Sequence, residues 1–282
     1  MSTHRQVNAA RQSTRPKQKP KLGQNFLVDG GAALRIVHAL GDISNSVVIE
    51  IGPGRGALTK LLAQRAGHLI AIELDRDLAN ALEHEFRDLP NITIVGGDFL
   101  GASIPGLLGS ISAPGSDPVK VVGNIPYYIT SDILLRVFEQ HEHIETVVLM
   151  VQKEVADRLV AEPESRDYGL LTVTARLFTD VERLFTLPPG AFSPPPQVHS
   201  SVLRLGVAPK AEQLGIDSRE FLNFSKLAFA QKRKTLFNNL RGMYDEASIK
   251  TALQHVGVHA SARAEELSLI GLTDVYKHLI RG

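Results

Sequence analysis

The stretch Ser46-Val47-Val48-Ile49-Glu50-Ile51-Gly52-Pro53-Gly54-Arg55-Gly56 decides the fold of this chain. Its apolar start is typical of a buried parallel strand, and the residues after Gly56 have the pattern of a helix. A strand, a glycine loop and a helix therefore follow one another. Glycines allow positive φ and a close approach of a ligand to the backbone, and the N-terminus of the helix offers free N–H groups. The stretch predicts a ligand-binding loop at the edge of a parallel sheet.

Two more predicted strands lead into acidic residues. The strand at 68–72 is followed by Glu73, and the strand at 92–95 is followed by Asp98 and Phe99. A carboxylate about 20 residues after a glycine loop can accept hydrogen bonds from a ribose diol. Asp98 and Phe99 could contact the amine and the ring of an adenine. Because the carboxyl ends of parallel strands meet at one edge, these residues predict a nucleoside cofactor site.

Each of these signals also has an ordinary structural explanation. Similar glycine loops occur in nicotinamide enzymes and in plain strand-to-helix turns. Asp98 taken alone is more typical of a helix N-cap or a turn. The arrangement of all three elements at successive strand ends favours a binding site.

A fourth predicted strand, at 118–123, ends on Asn124-Ile125-Pro126-Tyr127. The Asn124 amide oxygen and the backbone carbonyl before or at Pro126 can each accept a hydrogen from an exocyclic amine, since proline fixes the chain geometry there. Tyr127 supplies a face on which a base can stack. The alternative is an Asn-containing turn with a core tyrosine. Beside a cofactor loop, the tetrapeptide favours a site for an adenine amine.

Composition limits the class of protein. The 282 residues are 43% hydrophobic and 22% charged, as in globular proteins of one or two domains. No apolar run reaches ~18 residues and no secretory signal is evident, so a cytoplasmic location is expected. An acid-free N-terminus is also a property of mitochondrial transit peptides, but this one lacks clear amphipathy. Without cysteine there is no thiolate zinc site, and His255 and His259 lack a third ligand, so no metal is expected.

Positive charge is concentrated in two acid-free segments, 1–28 and 221–241. The second segment contains Lys226, Lys232, Arg233, Lys234 and Arg241. Because the two segments carry eleven basic residues and the whole chain is only +1, the remainder has a net charge of −10. This distribution favours local contacts with nucleic-acid phosphates, although a solvated face and a disordered tail would look the same. Phenylalanines at 221, 224, 229 and 237 are expected in the core.

The order of elements predicts an α/β fold, with a doubly wound, mostly parallel Rossmann-like sheet and a small C-terminal helical domain. Helices are expected at 57–66, 76–87, 131–140, 152–160 and 168–178, a fifth strand at 146–151, and two further strands at 181–187 and 198–206. After Pro209, helices are expected at 217–230, 232–241, 245–256 and 264–281. The predicted division is a basic, disordered arm 1–22, a sheet domain 23–208 and a helical domain 209–282, with a hinge or boundary near Pro209.

An ordered set of motifs resembles the S-adenosylmethionine-dependent ribosomal RNA adenine N6-dimethyltransferases, in particular the KsgA (RsmA) branch that acts on small-subunit ribosomal RNA. Besides the glycine loop, Glu73 and 124–127, the set contains Lys21-Leu22-Gly23-Gln24-Asn25-Phe26-Leu27, Gly97-Asp98-Phe99, Gly190-Ala191-Phe192-Ser193-Pro194-Pro195-Pro196-Gln197-Val198 and a basic helix near Gln231-Lys232-Arg233-Lys234-Thr235. The resemblance covers nearly the whole chain after the first 20 residues or so. Only the longer N-terminal arm departs from it.

The resemblance implies an activity and a set of site residues. The expected activity is S-adenosylmethionine-dependent dimethylation of two adjacent adenines in the 3′-terminal hairpin loop of 16S ribosomal RNA, within a pre-30S particle and by a monomeric enzyme. The cofactor, whose product is S-adenosylhomocysteine, is expected to bind Gln24, Asn25, Leu27, Gly52, Gly54, Glu73, Leu74, Asp98, Phe99 and Asn124. The expected catalytic set is Asn124, Ile125, Pro126, Tyr127 and Phe192, with Tyr127 and Phe192 on the two faces of the adenine. RNA is expected to bind Lys226, Lys232, Arg233, Lys234 and Arg241.

Three other functions stay open at this point. A large-subunit adenine methylase of the antibiotic-resistance type could not be separated from this one by the sequence itself. A noncatalytic RNA-binding or ribosome-assembly factor would keep the fold without turnover, although intact Glu73, Asp98 and Asn124 argue against lost activity. A dehydrogenase would explain the glycine loop and Glu73, but it would leave 124–127 and the turn around Phe192 unexplained.

Overall fold

A computed structural model describes residues 24–111 and 118–281, so the predicted basic arm 1–22 lies outside the described residues. Strands and helices alternate along the described chain. The strands are β1 (Phe26–Leu27), β2 (Val47–Ile51), β3 (His68–Glu73), β4 (Ile92–Gly96), β5 (Val119–Asn124), β6 (Ile144–Gln152), β7 (Thr179–Leu187), β8 (Phe192–Ser193) and β9 (Ser200–Val207). The helices are α1 (Gly30–His38), α2 (Thr59–Ala63), α3 (Arg76–Phe86), α4 (Ile104–Gly109), α5 (Thr130–Glu139), α6 (Lys153–Leu159), α7 (Leu170–Phe178), α8 (Ala211–Leu214), α9 (Ser218–Ala228), α10 (Leu236–Leu240), α11 (Glu246–His255) and α12 (Leu269–Arg281).

Seven strands form one sheet in the order β4-β3-β2-β5-β6-β9-β7. The five strands from β4 to β6 in this order are parallel, and β9 and β7 join antiparallel at one edge. The chain moves outward from β2 to β4 and then starts again at β5 on the other side of β2. Ligands bind at such a reversal, outside the carboxyl ends of the strands. The predicted doubly wound, mostly parallel sheet is confirmed.

Both faces of the sheet are buried, because successive strand residues point to opposite sides. In β2, Val47, Ile49 and Ile51 belong to one core cluster and Val48 belongs to a second. Helices α5 and α7 pack in the first cluster, and α1 and α2 pack in the second. This burial on both sides explains why the parallel strands are continuous apolar runs.

The C-terminal helices α9 to α12 share the first core cluster with α5 and α7. Phe221 and Phe224 of α9 are buried in it, as predicted. The chain at the predicted hinge is tied to α7, since Lys210 N donates to the Leu177 carbonyl at 2.9 Å. The helical segment thus packs directly on the sheet domain. The division at residue 209 stays a prediction.

Several helix boundaries differ from those predicted. The helix expected at 57–66 is limited to α2, and the helix expected at 264–281 divides into a 3-10 turn, Ala264–Glu266, and α12. The helix expected at 232–241 is limited to α10, because Thr235 accepts a hydrogen bond from Asn238 N at 3.2 Å and caps the helix there. Helices α1, α4 and α8 have no predicted counterpart. Within the described ranges, no helix has the length and apolar character needed to cross a membrane.

Strands β1 and β8 form a separate two-stranded pair that the sequence does not predict. Leu27 lies opposite Phe192, and Val28 N donates to the Ala191 carbonyl at 2.9 Å. Two-residue strands are too short to show a hydrophobic period. The pairing ties the segment that contains Gln24 to the turn between β7 and β9.

Lys120 of β5 provides a test of the core. It is only 7% exposed, and its Nζ donates to the carbonyls of Leu40 and Asp42 just beyond α1, at 3.0 and 2.9 Å. We expect Lys120→Met to lower the free energy of unfolding by about 1–3 kcal/mol, because both carbonyls lose their donor. Urea denaturation followed by circular dichroism measures this change. Lys226→Met, which removes an exposed lysine of α9, should change it by less than about 0.5 kcal/mol. Equal urea midpoints for Lys120→Met and the wild type would contradict this role of Lys120.

Candidate functional site

A cavity lies outside the carboxyl ends of β2, β3, β4 and β5, at the reversal of strand order. It is a cleft that opens to solvent, the form that ligand-binding sites commonly have. The predicted cofactor and catalytic residues that line it are Gln24, Asn25, Leu27, Gly52, Gly54, Glu73, Leu74, Asp98, Phe99, Asn124, Ile125, Pro126 and Tyr127. The structure therefore brings together residues from five separate parts of the chain.

The glycine loop has the backbone conformation that the sequence predicts. Gly52, Gly54 and Gly56 have φ values of +64°, +59° and +78°. A Cβ atom on Gly54 would also lie only 3.0 Å from a ring carbon of Phe26. Glycine is required at position 54 both by its φ and by the closeness of this ring.

The Glu73 carboxylate connects this loop to the end of β3. It is 1% exposed, and its two oxygens accept hydrogen bonds from Gly54 N at 2.8 Å and from Asp75 N at 2.9 Å. Each carboxylate oxygen can accept a further hydrogen bond. Glu73 can therefore brace the loop and still receive the hydroxyls of a bound ribose.

Glu50 is a second buried acid in the cavity wall, and sequence analysis assigned it no role. Its side chain is 2% exposed, and Thr59 Oγ1 donates to Glu50 Oε2 at 2.7 Å. Burial raises the pKa of Glu50 to about 8; the Thr59 bond opposes this rise and the nearby charge of Glu73 adds to it. The available signal was an acid within an apolar strand, two residues before the first glycine of the loop.

Asn124 is held in one orientation at the end of β5. Its Nδ2 donates to the Asn25 carbonyl at 2.8 Å, so its Oδ1 is left as the acceptor beside the cavity. The Pro126 carbonyl already accepts from Ile129 N at 3.2 Å and from Thr130 Oγ1 at 3.3 Å. Of the two carbonyls predicted for an amine, the one at Pro126 is therefore occupied. The carbonyl of Ile125 is the better acceptor.

Tyr127 is half-buried at the edge of the cavity. Its hydroxyl and Ser200 Oγ of β9 form a hydrogen bond of 2.8 Å, which fixes the ring. Burial raises the pKa of Tyr127 although this hydrogen bond opposes the shift, so the phenol is neutral at physiological pH. A fixed, neutral ring is suited to stacking and not to proton transfer.

Phe192 is the one predicted catalytic residue that does not line the cavity. It is 4% exposed and packs in the second core cluster beside Leu27 and Val202. Its ring is buried because the β1–β8 pairing turns this position into the core. Stacking of Phe192 on an adenine stays a prediction, and it would require the ring to leave this core.

Asp98 combines the two interpretations that its position allowed. Its exposed side chain accepts a hydrogen bond from Leu100 N at 2.9 Å and caps the 3-10 helix Phe99–Gly101, and it also lines the cavity. Phe99 is 4% exposed and packs mainly in the core, whereas Leu74 is 48% exposed at the cavity wall. Leu74 is thus the better placed of these two for contact with a bound ring.

Three of the five predicted RNA-binding residues, Lys232, Arg233 and Lys234, lie on a loop, where a helix was predicted. Residues 231–234 form the turn between α9 and α10, and Lys232 Nζ donates to the Arg166 carbonyl at 2.6 Å. Arg233 and Lys234 are exposed on the same loop, which we call the basic loop (231–235). Lys226 and Arg241 are exposed on either side of it in sequence. Arg166, which sequence analysis missed, belongs to the neighbouring loop.

The histidines considered as metal ligands make other contacts. The ring of His255 lies 3.9 Å from that of His278, and His259 Nδ1 is hydrogen-bonded to Ser261 Oγ. In the parts of the chain that the structure covers, no three His, Asp or Glu side chains are grouped as metal ligands.

Three aromatic or basic residues of the cavity wall, Phe26, Arg55 and Tyr128, were not predicted from the sequence. The Arg55 guanidinium lies over the Phe26 ring, 4.4 Å from its centre, and Tyr128 is 61% exposed at the cavity mouth. Phe26 lies inside the motif at 21–27, and Tyr128 directly follows the motif at 124–127. Their closeness in sequence to these motifs was the signal that could have identified them.

Comparison with known proteins gives the family. The model of the family described as "Ribosomal RNA adenine dimethylase" matches residues 15–281. The chain belongs to the ribosomal RNA adenine dimethylase family. It is 52% identical over 281 residues to a "Ribosomal RNA small subunit methyltransferase A" of Koribacter versatilis, covering 97% of this chain and 99% of that protein. A protein of the same name from Acidobacterium capsulatum is 52% identical over 264 residues, 93% of this chain and 92% of that one.

Solved structures of related proteins have the same fold. The 23S rRNA methyltransferase ErmE superimposes with a TM-score of 0.69 at 29% identity, over 91% of this chain and 100% of that one. A dimethyladenosine transferase from Plasmodium falciparum gives a TM-score of 0.78 at 23% identity, over 91% and 98% of the two chains. The resemblance to this family that the motifs indicate is confirmed.

The buried Glu50 predicts a pH dependence of stability. Its pKa is near 4.5 ordinarily and about 8 in the folded protein, so folding retains a proton that the unfolded chain releases between these values. Stability should therefore fall as pH rises through this window, by up to about 1.4 kcal/mol per pH unit. Glu50→Gln stays neutral and keeps an acceptor for Thr59, so its free energy of unfolding should fall less.

Urea denaturation at several pH values from 5 to 8 measures this effect. The advantage of Glu50→Gln over the wild type should grow with pH. Glu83→Gln, which changes an exposed glutamate of α3, should follow the wild type. Parallel curves for Glu50→Gln and the wild type would show that Glu50 does not carry the proton.

Proposed function

We propose that this protein dimethylates the N6 amines of two adjacent adenines in the 3′-terminal hairpin loop of 16S ribosomal RNA, with S-adenosylmethionine as donor. The family and the names of its relatives support adenine dimethylation of small-subunit ribosomal RNA. The observation that carries the proposal is the orientation of Asn124, whose amide oxygen is presented beside a cavity suited to a nucleoside.

The cavity fits S-adenosylmethionine in two respects. The glycine loop leaves backbone open to a ligand, and the buried Glu73 carboxylate keeps lone pairs for a ribose diol. Asp98 would hold the adenine amine of the cofactor, and Leu74 would cover its ring. Gln24, Asn25 and Leu27 would contact the cofactor from the side of β1. When bound, S-adenosylmethionine supplies a methyl group that is already activated on a sulfonium cation.

Asn124 and Ile125 would orient the target amine. The Asn124 Oδ1 and the Ile125 carbonyl would each accept one hydrogen of the N6 amine, which directs the nitrogen lone pair toward the methyl group. Pro126 and the turn after it hold both acceptors in place. Orientation of this kind can supply much of the rate acceleration. No dedicated base is required, because the amine becomes acidic as its N–C bond forms and the S–C bond of the donor breaks, and its proton can then leave to solvent.

Tyr127 would hold the target ring. Its own ring is fixed by Ser200, so it offers one rigid stacking face. A base within a stacked helix cannot reach the cavity, and the adenine must be extruded or lie in a loop. Exclusion of water by the stacked ring would protect the reacting atoms.

Two alternatives are less well supported. ErmE is named as a methyltransferase of 23S rRNA, which belongs to the large subunit. The chain is 29% identical to ErmE and 52% identical to proteins named for small-subunit ribosomal RNA. A noncatalytic assembly factor would have no need for the arrangement of Glu73, Asn25 and Asn124. Action within a pre-30S particle, a monomeric state and a cytoplasmic location stay predictions.

Asn124→Ala tests the proposal. We expect the rate of methyl transfer to fall by roughly 10²-fold or more, because the amine loses the acceptor that orients it. The measurement is single-turnover methylation of small ribosomal subunits that lack these methyl groups, with mono- and dimethyladenine counted separately. Asn45→Ala, an exposed position at the opposite end of the sheet, should keep the wild-type rate. Dimethyladenine formed at the wild-type rate by Asn124→Ala would refute the mechanism.

The basic loop would bind RNA phosphates. We expect replacement of Lys232, Arg233 and Lys234 by Ala to weaken binding to small subunits and to reduce its salt slope by roughly one per lost phosphate contact. Affinity for S-adenosylmethionine should not change. Binding titrations at several salt concentrations measure both effects.

Two further variants separate charge from loop structure. The double variant with only Arg233 and Lys234 replaced keeps the bond from Lys232 to the Arg166 carbonyl, so it should still lose part of the slope. Replacement of Lys60, Arg65 and Arg87, basic residues of the α2–α3 side, removes the same charge elsewhere and should leave the slope nearly intact. Equal slopes in the wild type and the basic-loop variants would show that these residues are ordinary solvated charges.

A further inference from the structure

Tyr128 is a large aromatic side chain that the proposed mechanism does not use. It is 61% exposed and lines the mouth of the cavity, directly after the Asn124–Tyr127 segment. Tyrosine is frequent at binding surfaces, because its ring offers an apolar face while its hydroxyl stays in water. A single exposed ring is ordinary by itself, but the place of Tyr128 at the mouth of the cavity makes it available to a bound partner.

Hydrogen bonds hold the backbone around Tyr128. Residues Tyr127–Ile129 form a 3-10 helix, and the carbonyls of Pro126 and Tyr127 both accept a hydrogen bond from Thr130 Oγ1 at 3.3 Å. Thr130 is itself only 1% exposed at the start of α5. The Cα position of a side chain on this turn is therefore held by the surrounding hydrogen bonds.

Tyr127 and Tyr128 cannot serve the same base. Neighbouring residues of a 3-10 helix point about 120° apart, since the helix has three residues per turn. Tyr127 is directed inward by its hydrogen bond with Ser200, whereas Tyr128 is directed toward solvent at the mouth. When Tyr127 holds the target base, the Tyr128 ring would contact the part of the RNA that lies just outside the cavity.

We propose that Tyr128 forms a second nucleobase subsite, on which the unpaired base next to the target adenine stacks. This inference rests on the proposed function, which places an unpaired strand at the cavity mouth. Stacking on an aromatic ring is tolerant of base identity and contributes to single-strand binding. The subsite would bind the neighbouring base outside the cavity while one adenine occupies the cavity.

The test compares Tyr128→Ala with Tyr128→Phe on small subunits that lack the methyl groups. Tyr128→Ala should weaken subunit binding by about 5- to 100-fold, because a stacking face is lost. Its single-turnover rate at saturating subunit and its affinity for S-adenosylmethionine should stay close to those of the wild type. Tyr128→Phe keeps the ring and should restore binding. Leu135→Ala, an exposed apolar position of α5, is the matched control for loss of surface area.

Three results would overturn the subsite. They are wild-type subunit affinity in Tyr128→Ala, equal losses in the Ala and Phe variants, and a loss of cofactor affinity in the Ala variant. In each case, dimethyladenine formed by the wild-type enzyme would still support the proposed function. Absence of that product from the wild-type reaction would instead refute the proposed function.

Discussion

The Glu73 carboxylate connects the glycine loop to the turn after β3, and the shape of the cavity depends on this connection. Both of its oxygens accept backbone N–H groups, so two loops from neighbouring strands are held by one buried side chain. An acid left without partners at this depth would be costly, whereas one that accepts two hydrogen bonds stabilises both loops. The Glu73 carboxylate, the group best suited to accept hydrogen bonds from a ribose, thus also holds the two loops that form the cavity around it.

A second connection joins the segment proposed to contact the methyl donor to the segment proposed to orient the target amine. Asn124 Nδ2 binds the Asn25 carbonyl, and the segment that carries Asn25 is held in turn by the β1–β8 pair. Phe192, although buried, therefore supports the segment that is proposed to contact the methyl donor. Changes at Phe192 would act on the site through β1 even if its ring never contacts RNA.

The sequence predicts those parts of the site that are encoded by contiguous residues. A parallel strand and the loop after it are neighbours in the chain, so Gly54, Glu73 and Asn124 could be placed at one edge from local patterns alone. The β1–β8 pair and the burial of Phe192 depend on contacts between residues far apart in sequence. The basic loop was predicted as the first part of a helix at 232–241, whereas the cap at Thr235 begins the helix later.

The core that continues from the sheet domain into the C-terminal helices bears on how the target adenines are selected. The basic loop is bonded to the loop that contains Arg166, and α9, which leads into it, packs in the same cluster as α7. Phosphates held by this loop would therefore lie at a fixed distance from the cavity. A flexible linker would allow any unpaired adenine within reach to enter. A fixed connection would instead limit entry to adenines whose strand is bound by the basic loop at the matching distance. Specificity could then come from the shape of the RNA, without contacts to the flanking base edges.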